Sequence, residues 1–157
     1  MIQKFLIIIL LLITSAYAKE LNLNALLEDA KKQNKQILLF LHIPNCEYCT
    51  IMKKENLRDK ETVDTIDKFF LFKQIGAKDR VVIDGKSISH KEFAKKYSLF
   101  AFPSSLFMNS NGRVLYRSMG FRNIDEYLTE IKYIGSKSYK NISMDEFREN
   151  LEFEKDD

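Results

Sequence analysis

Runs of apolar residues predict two buried strands in the first half of the chain. The segment 36–42 (QILLFLH) is continuously apolar over the length of a strand, which is typical of a central strand covered on both faces. A second strand of this kind is predicted at 69–75. Apolar positions at helical spacing flank these strands and predict three helices, at 21–34 with Asn22 or Asn24 as its cap, at 46–58 and at 60–68.

The second half of the chain is divided by turn and helix-capping residues. Asp84-Gly85 favours a type I′ turn and predicts a small β-hairpin over 80–88, as an insertion-like piece. Ser89 and Glu92 have the spacing of a capping box, so we expect a helix from there to residue 97. Two further strands and two capped helices are predicted after it: strands at 104–108 and 113–118, a helix ending near Gly135, and a last short helix after Ser143.

The order of these elements indicates the fold class. A β-α-β half is followed by a β-β-α half, which gives a mixed central sheet with helices on both faces. We therefore predict an α/β protein with one domain, since the pattern contains neither an internal repeat nor a linker. Residues 136–157 are expected to add a C-terminal helical appendix to that domain.

The first eighteen residues have the layout of a secretory signal peptide. Lys4 supplies a positive charge, residues 5–13 are an unbroken apolar run, and an A-x-A cleavage site ends at Ala18. The run is well short of the ~20 residues that span a bilayer, which disfavours an uncleaved membrane anchor. We therefore expect cleavage after Ala18 and a mature domain over 19–157.

Composition and charge indicate the compartment of the protein and exclude one class of partner. The chain has 157 residues and a formal net charge of +3, from 25 Lys and Arg against 22 Asp and Glu. These charges are mixed along the chain, so no basic patch for nucleic acid is predicted. Lys, Asn and Ile are abundant, and together with the short signal segment they suggest a bacterial protein located in the periplasm.

The two cysteines, Cys46 and Cys49, are separated by only two residues. A disulfide that closes so small a ring stabilises a fold by about 2 kcal/mol, against roughly 4.7 kcal/mol for a hundred-residue loop, which argues against a structural staple. The pair lies where a buried strand ends and a helix begins, and a helix N-terminus stabilises a thiolate on Cys46. Since Cys49 is one turn further on, where it can resolve a mixed disulfide, the pattern favours thiol–disulfide exchange.

A metal site remains an alternative for the same two cysteines. Cys46 and Cys49 have zinc-ligand spacing, but a zinc site requires four ligands and only His42 and His90 are left to complete the set. No second C-x-x-C is present, and Thr50 occupies the position of the histidine in a haem-attachment motif. We expect no metal, and no cofactor beyond the redox-active cysteine pair.

These motifs resemble those of the thioredoxin-like family, in particular its periplasmic SoxW-like and thioredoxin-2-type members. The resemblance covers 21–134 and rests on the strand ILLFLH, the PNCEYC segment with its lysine-rich helix, and Phe102-Pro103 before a strand hairpin. It implies a thioredoxin fold, with Cys46 as the nucleophile and Cys49 as the resolving thiol. It also implies that Pro103 is a cis-proline facing the cysteines, which leaves the backbone of Phe102 free to pair with a substrate strand.

The chain departs from the thioredoxin pattern at two positions. Asn45 stands where thioredoxins place a tryptophan, and Phe40 stands at the position of their buried acid, six residues before the first cysteine. Proton transfer to and from Cys49 must then use water or another group, and His42 is the nearest titratable residue on the strand. His42 is therefore a candidate proton relay or pKa tuner, with a packed strand-end histidine as the plainer interpretation, whereas we expect His90 to be solvated.

The residues between the cysteines bear on the direction of the reaction. Tyr48 resembles the residue found at this position in glutaredoxins and in isomerases and reductases of the Dsb group. Glu47 places a carboxylate beside Cys46 and opposes the thiolate, at about 1.4 kcal/mol for each pKa unit, which favours a reductase over a strong oxidase. A solvated first-turn residue that suits the helix dipole is the equal alternative for Glu47.

The predicted function is that of an exported thiol:disulfide oxidoreductase, acting mainly as a disulfide reductase in the periplasm. Since that compartment is oxidising, the resemblance implies a membrane thiol-electron donor as one partner. Disulfide-bearing proteins are the expected clients, and we expect a monomer. A disulfide oxidase or isomerase is one alternative, and a non-catalytic metal- or client-binding protein of the same fold is the other.

Overall fold

The computed structural model describes residues 19–155, so the predicted signal peptide at 1–18 lies outside the described residues. No helix within the described part of the chain is long and apolar enough to cross a membrane. The elements follow in the order β1 (Glu20–Asn22), α1 (Leu23–Lys32), β2 (Gln36–Leu41), α2 (Glu47–Lys54), α3 (Lys60–Phe69), β3 (Phe70–Ile75), β4 (Arg80–Ile83), β5 (Lys86–Ser89), α4 (His90–Lys96), β6 (Ser104–Met108), β7 (Val114–Met119), α5 (Ile124–Gly135), a 3₁₀ turn (Ser138–Lys140) and α6 (Met144–Lys155).

Four strands form the central sheet, in the order β3-β2-β6-β7. Strand β2 runs parallel to β3, whereas β6 is antiparallel to both β2 and β7. All six residues of β2 are buried, as expected for the central position that its apolar run predicted. The predicted mixed sheet is therefore confirmed.

Alternate residues of β2 face two different hydrophobic cores, which explains why its sequence does not alternate. Ile37, Leu39 and Leu41 pack with apolar residues of α1, α4 and β4 on one side of the sheet. Leu38 and Phe40 pack with apolar residues of α2, α3 and α5 on the other side. Because successive side chains of a strand point to opposite faces, both faces of β2 require apolar residues and both are covered by helices, as predicted.

The N-terminal segment differs from the prediction of a helix over 21–34. Glu20–Asn22 forms the short strand β1, which pairs in parallel with β4, and α1 begins only after it. Asn22, one of the two predicted caps, accepts a hydrogen bond from the Ala25 N–H at 3.0 Å. A strand of three residues is too short to show its period in the sequence, so the pattern could not separate it from the helix that follows.

Strands β1, β4 and β5 form a second sheet in that order. The β4–β5 hairpin turns at Asp84 and Gly85, whose φ angles of 51° and 76° are left-handed, as the predicted type I′ turn requires. Ser89 and Glu92 form the predicted capping box at the start of α4. The piece predicted to be insertion-like is thus joined to the N-terminal strand, and its Val81 is fully buried in the first core.

The segment after α5 packs back onto that helix. The Tyr133 hydroxyl donates a hydrogen bond to the Ile142 carbonyl at 2.8 Å, and the Tyr133 ring lies 5.3 Å from the ring of Phe147. Ser143 caps α6 by accepting a hydrogen bond from the Glu146 N–H at 3.2 Å. At 12 residues, α6 is longer than the short helix that was predicted.

Candidate active site

One edge of the central sheet brings two loops together. Leu41, the last residue of β2, pairs with Ile75 of β3 on one side and with Ser104 of β6 on the other. The loop that leaves β2 leads to Cys46, and Pro103 directly precedes Ser104. Because β2 and β6 are antiparallel, the end of one strand lies beside the beginning of the other, and both loops emerge at this edge.

Cys46 is the N-cap residue of α2. Its Sγ accepts a hydrogen bond from the Cys49 N–H at 3.1 Å, where an N-cap more often offers an oxygen. Asn45, just before it, has a left-handed φ of 56° and turns the chain into the helix. The positive end of the helix dipole therefore lies at the Cys46 sulfur, which favours negative charge on that sulfur when the disulfide is reduced.

The two cysteines differ in their exposure to solvent. They are joined in a disulfide with an S–S distance of 2.07 Å. Cys46 is partly exposed, whereas Cys49 is only 2% exposed. Another molecule can therefore approach the Cys46 sulfur more easily than the Cys49 sulfur, and the arrangement suits an exchange in which Cys46 forms the mixed disulfide and Cys49 resolves it.

The second loop of the site is centred on Pro103. The Phe102–Pro103 peptide bond is cis. The Pro103 carbonyl accepts a hydrogen bond from the Gly120 N–H at 2.8 Å, and the next residue, Ser104, pairs with Met119 at the end of β7. The loop after β7 therefore lies directly beside the Pro103 loop.

Exposed apolar side chains are concentrated in these loops. The ring of Tyr48, between the cysteines, lies 5.2 Å from the ring of Phe121 in the loop after β7. Five large apolar side chains are exposed in the described residues, and four of them lie within or next to the segments that carry the site, Phe100 being three residues before Pro103: Tyr48, Phe100, Met119 and Phe121. Exposed apolar surface of this kind is typical of a site that contacts another protein.

Residues 23–135, more than two thirds of the chain, match the family model described as a thioredoxin-like domain. The chain belongs to the thioredoxin-like family. The predicted thioredoxin fold is thereby confirmed, and the C-x-x-C disulfide places the chain among the thiol:disulfide oxidoreductases of that family.

Solved structures show the same fold. A thioredoxin-fold protein from Helicobacter pylori matches with a TM-score of 0.61 and 23% sequence identity, over 76% of this chain and 81% of that one. A disulphide isomerase from Xylella fastidiosa gives a TM-score of 0.56 at 20% identity, over 71% and 87% of the two chains. The C-terminal domain of DsbD from Neisseria meningitidis gives 0.53 at 25%, over 70% and 91%. No curated protein sequence matches the chain.

This thioredoxin-like domain has a histidine close to the position of the family's buried acid. Phe40, which stands at that position, is fully buried in the second core. His42 is partly buried and lines a cleft of about 470 Å³ together with Cys49, Lys53 and Asp79. Burial and the nearby charge of Lys53 lower the pKa of His42, while the Asp79 carboxylate raises it. A neutral imidazole that shares a cleft with Cys49 is suited to accept a proton from its thiol.

The prediction that His90 is solvated is wrong. His90 is 4% exposed, and its ring lies 5.1 Å from the ring of Phe102. It is the first residue of α4 and is buried together with Phe93 and Ala94, three and four positions further on. This spacing places the three residues on one helical face, so the sequence contained the signal of its burial. His90 is therefore a buried packing partner of the Phe102 ring in the thioredoxin-like domain.

Glu47 has two electrostatic effects in the domain. It is exposed in the first turn of α2, and Lys53 and Lys54 occupy the last turn, so both ends of the helix complement its dipole. The same carboxylate belongs to the residue next to Cys46 and opposes a negative charge on that sulfur. Glu47 is thus placed both to complement the dipole of α2 and to oppose a negative charge on the neighbouring sulfur.

The four candidate zinc ligands do not form one cluster. Within residues 19–155, no group of three or more His, Cys, Asp or Glu side chains is placed to hold a metal ion. Cys46 and Cys49 are joined to each other, His42 lines the cleft beside Cys49, and His90 is packed against Phe102.

Proposed function

We propose that this member of the thioredoxin-like family is an exported oxidoreductase that acts mainly as a disulfide reductase in the bacterial periplasm. The position of Cys46 is the observation on which the proposal rests. Cys46 is a partly exposed N-cap bonded to a buried Cys49, and the Pro103 loop emerges at the same edge of the sheet. The cysteine pair is the only redox group that the proposed reaction requires.

The proposed reaction transfers two electrons from the reduced cysteine pair to a client disulfide. The Cys46 thiolate attacks one sulfur of the client disulfide, which forms a mixed disulfide and releases the other client sulfur as a thiolate that takes up a proton. Cys49 then loses its proton and attacks the Cys46 sulfur. The second client thiolate leaves, and the Cys46–Cys49 disulfide is formed.

His42 is the proposed acceptor of the Cys49 proton. It lines the same cleft as Cys49, and its pKa is lowered, so it is largely neutral at pH 7 and able to take a proton. Phe40 has no ionisable group at the position where the family carries its acid. His42 therefore supplies in this chain the base that the second thiol requires.

Clients are proposed to bind along the Pro103 loop. An extended client segment would pair with the backbone of Phe102 and so bring its disulfide to the Cys46 sulfur. The exposed rings of Tyr48 and Phe121 would contact apolar side chains of the client. His90 holds Phe102 in position for this pairing by packing against its ring.

The reductase direction is supported by the charge of Glu47. A strong oxidase owes its potential to a stabilised thiolate, whereas the Glu47 carboxylate opposes the thiolate of Cys46. Because the periplasm is oxidising, a reductase there needs a source of electrons, and a membrane thiol donor would reduce the Cys46–Cys49 disulfide after each turnover. We propose that the protein acts as a monomer.

A redox titration against glutathione and dithiothreitol tests the direction. We expect a reduction potential near −270 mV, as in thioredoxin, and a value near −120 mV would identify an oxidase instead. Reduction of insulin by the wild type and by Cys46→Ser tests catalysis. Equal rates for the two proteins would contradict catalysis and favour a client-binding protein. N-terminal sequencing of the protein recovered from the periplasm tests export, with Lys19 as the expected first residue.

A further inference from the structure

A salt bridge between Arg122 and Glu130 lies next to the candidate active site. Arg122 Nε donates to Glu130 Oε1 at 2.8 Å, and the side chain of Glu130 is only 8% exposed. In each of the other five salt bridges within residues 19–155, the carboxylate side chain is at least 57% exposed. Arg122 directly follows Phe121, whose ring contacts that of Tyr48 between the two cysteines. The most buried carboxylate among these pairs is therefore bound to the loop that carries Phe121.

Stability alone does not explain this pair. Burying a carboxylate costs free energy, and a buried ion pair is often no more stable than apolar residues of similar volume. The hydrogen bonds of Glu130 are also uneven, since its Oε1 accepts from Arg122 and from the Tyr116 hydroxyl at 3.2 Å. Its Oε2 is buried and has no hydrogen-bond partner within the described residues. An apolar side chain at position 130 would avoid this cost, so the pair points to a role beyond stability.

The guanidinium group of Arg122 also binds the backbone of its own loop. Its Nη1 donates to the Phe121 carbonyl at 2.9 Å and, with a longer bond of 3.4 Å, to the Met119 carbonyl. Because a guanidinium group is planar and rigid, the bond from Nε to Glu130 fixes the direction in which Nη1 points. Glu130 belongs to α5, so this helix determines where the backbone of the loop lies.

A second contact ties the same residue to the helix of the cysteines. Asn56 is 1% exposed and lies just after α2, the helix that Cys46 caps. Its Nδ2 donates to the Arg122 carbonyl at 3.0 Å. Arg122 is therefore held through its side chain by α5 and through its backbone by the segment that follows α2. These contacts fix the loop after β7 relative to the helix that carries the disulfide.

A loop that is already fixed favours binding of a partner. Phe121 is partly exposed, and its ring lies beside the exposed ring of Tyr48. A flexible loop would lose conformational entropy when a client binds, whereas a loop held by Arg122 has lost that entropy on folding. The two rings therefore form a surface that is in place before the client arrives.

We propose that Arg122 and Glu130 are positioning residues that make the site selective for protein clients over small disulfides. The pair holds the loop so that the Phe121 ring stays beside Tyr48, where both rings can contact an apolar side chain of the client. A small disulfide reaches the Cys46 sulfur without using this surface. The inference rests on the proposed function and adds to it the residues that determine which substrates are preferred.

Two variants of the mature protein separate positioning from stability. Arg122→Lys keeps a positive charge opposite Glu130 but lacks the rigid fork that also binds the loop. Arg122→Gln/Glu130→Gln removes both charges together, so neither is left buried and unpaired. The matched control is Arg148→Gln, which also breaks an arginine–carboxylate pair, but one in α6 whose two side chains are exposed. Urea unfolding of each protein shows whether it is cooperatively folded.

Steady-state reduction of insulin and of a small aromatic disulfide, with dithiothreitol as the electron source, measures the selectivity. In both Arg122 variants we expect the KM for insulin to rise about threefold to tenfold at constant kcat, because a displaced ring still makes part of its contact. The kcat/KM for the small disulfide should change less than about twofold. In a Phe121→Ala background the same substitutions should have no further effect, since the pair acts through that ring. Arg148→Gln should behave as the wild type.

Nuclear Overhauser effects between the ring protons of Tyr48 and Phe121 measure the position of the ring independently of activity. We expect them in the wild type and in Arg148→Gln, where the rings lie 5.2 Å apart, and we expect their loss in both Arg122 variants. An unchanged ring contact, equal losses on both substrates or additive effects in the Phe121→Ala background would overturn the inference. So would a loss of folding in both variants, which would assign the pair to stability.

The failure of the proposed function has a different result. A wild type that reduces neither insulin nor the small disulfide would contradict the oxidoreductase activity and, with it, the selectivity. A wild type that reduces both, together with Arg122 variants that keep the wild-type KM for insulin, would contradict only the role of Arg122 and Glu130.

Discussion

The ring of Tyr48 lies 5.2 Å from the ring of Phe121 and is tilted by 33° to it. One ring belongs to the residue between the two cysteines, and the other belongs to the loop that lies beside Pro103. Tyr48 is 56% exposed and Phe121 is 37% exposed. The two rings contact each other and still leave apolar surface that a client can cover. This contact therefore connects the two loops of the candidate site through a shared apolar surface.

Phe121→Ala should reduce the activity towards protein clients more than the activity towards small disulfides. The substitution removes apolar surface that a bound protein would cover, at a cost of about 1–2 kcal/mol, or roughly fivefold to thirtyfold in affinity. We expect the KM for insulin to rise by that factor, and kcat/KM for a small aromatic disulfide to change less than twofold. Phe153→Ala is the matched control, because Phe153 is also exposed but lies in α6. Equal losses on both substrates would contradict a docking role.

His42→Gln should slow the resolution of the mixed disulfide by at least tenfold at pH 7. General bases contribute about 10²- to 10⁴-fold, and water would take over part of this role. In the wild type the resolution rate should fall as the pH decreases below 6.5 and His42 becomes protonated, with the midpoint below 6.5 because its pKa is lowered. In the variant the rate should instead rise with pH towards the ordinary thiol pKa of about 8.5.

Rapid acid quenching of the reaction and mass spectrometry of the trapped mixed disulfide measure this step. The alkylation rate of Cys46 in the reduced variant is the internal control and should remain within twofold of the wild type. An unchanged resolution rate with an unchanged pH profile would show that His42 is only a packed residue at the end of the strand.

Glu47→Gln should make the Cys46 thiol more reactive. Removing the neighbouring carboxylate stabilises the thiolate, and because Glu47 is exposed we expect a twofold to fivefold faster reaction with iodoacetamide at pH 7. The reduction potential should become less negative by about 10–20 mV, since 30 mV corresponds to about 1.4 kcal/mol. Glu55→Gln, at the other end of α2, is the control and should leave both values unchanged. An unchanged reduction potential would show that Glu47 only stabilises the helix.

The accuracy of the sequence-based prediction depends on how local the signal is. The strand Ser104–Met108 and the Asp84-Gly85 turn are encoded by neighbouring residues and were predicted to the residue. The position of Cys46 at a helix N-terminus is equally local. The contact between Tyr48 and Phe121 joins residues far apart in sequence, and it depends on the pairing of β6 with β7. Such contacts follow from the tertiary fold, and no local pattern predicts them.

His90 shows a different reason for a wrong prediction. Its place beside the capping residue Ser89 suggested solvent, because capping segments are commonly exposed. Phe93 and Ala94 lie on the same helical face as His90 and are buried. The packing of this face therefore places the His90 ring in the interior, against Phe102. A local motif and a helical period competed at this residue, and packing on the apolar face determined the result.

His90 and His42 should make the protein less stable at acidic pH. Burial lowers the pKa of His90 below the value of 6.5, and the Asp79 carboxylate offsets this only in part; the pKa of His42 is lowered as well. The unfolded chain therefore binds protons more readily than the folded protein in the range below pH 6.5. In that window the free energy of unfolding should fall with decreasing pH, by up to about 1.4 kcal/mol per pH unit for each histidine. Urea unfolding of the oxidised protein at pH 7.5 and at pH 5.5 measures this loss.

His90→Gln isolates the contribution of the more buried histidine. Glutamine cannot titrate, so the loss of stability between pH 7.5 and pH 5.5 should be smaller in this variant than in the wild type. Its stability at pH 7.5 should itself be lower, because the contact with Phe102 is altered, and the comparison therefore uses the difference between the two pH values. His42→Gln provides a comparison, and it should remove less of the pH dependence, because His42 is only partly buried and is closer to full solvation in the folded protein. A loss of stability that is the same in the wild type and both variants would mean that carboxylates or other groups, and not the histidines, determine the acid sensitivity.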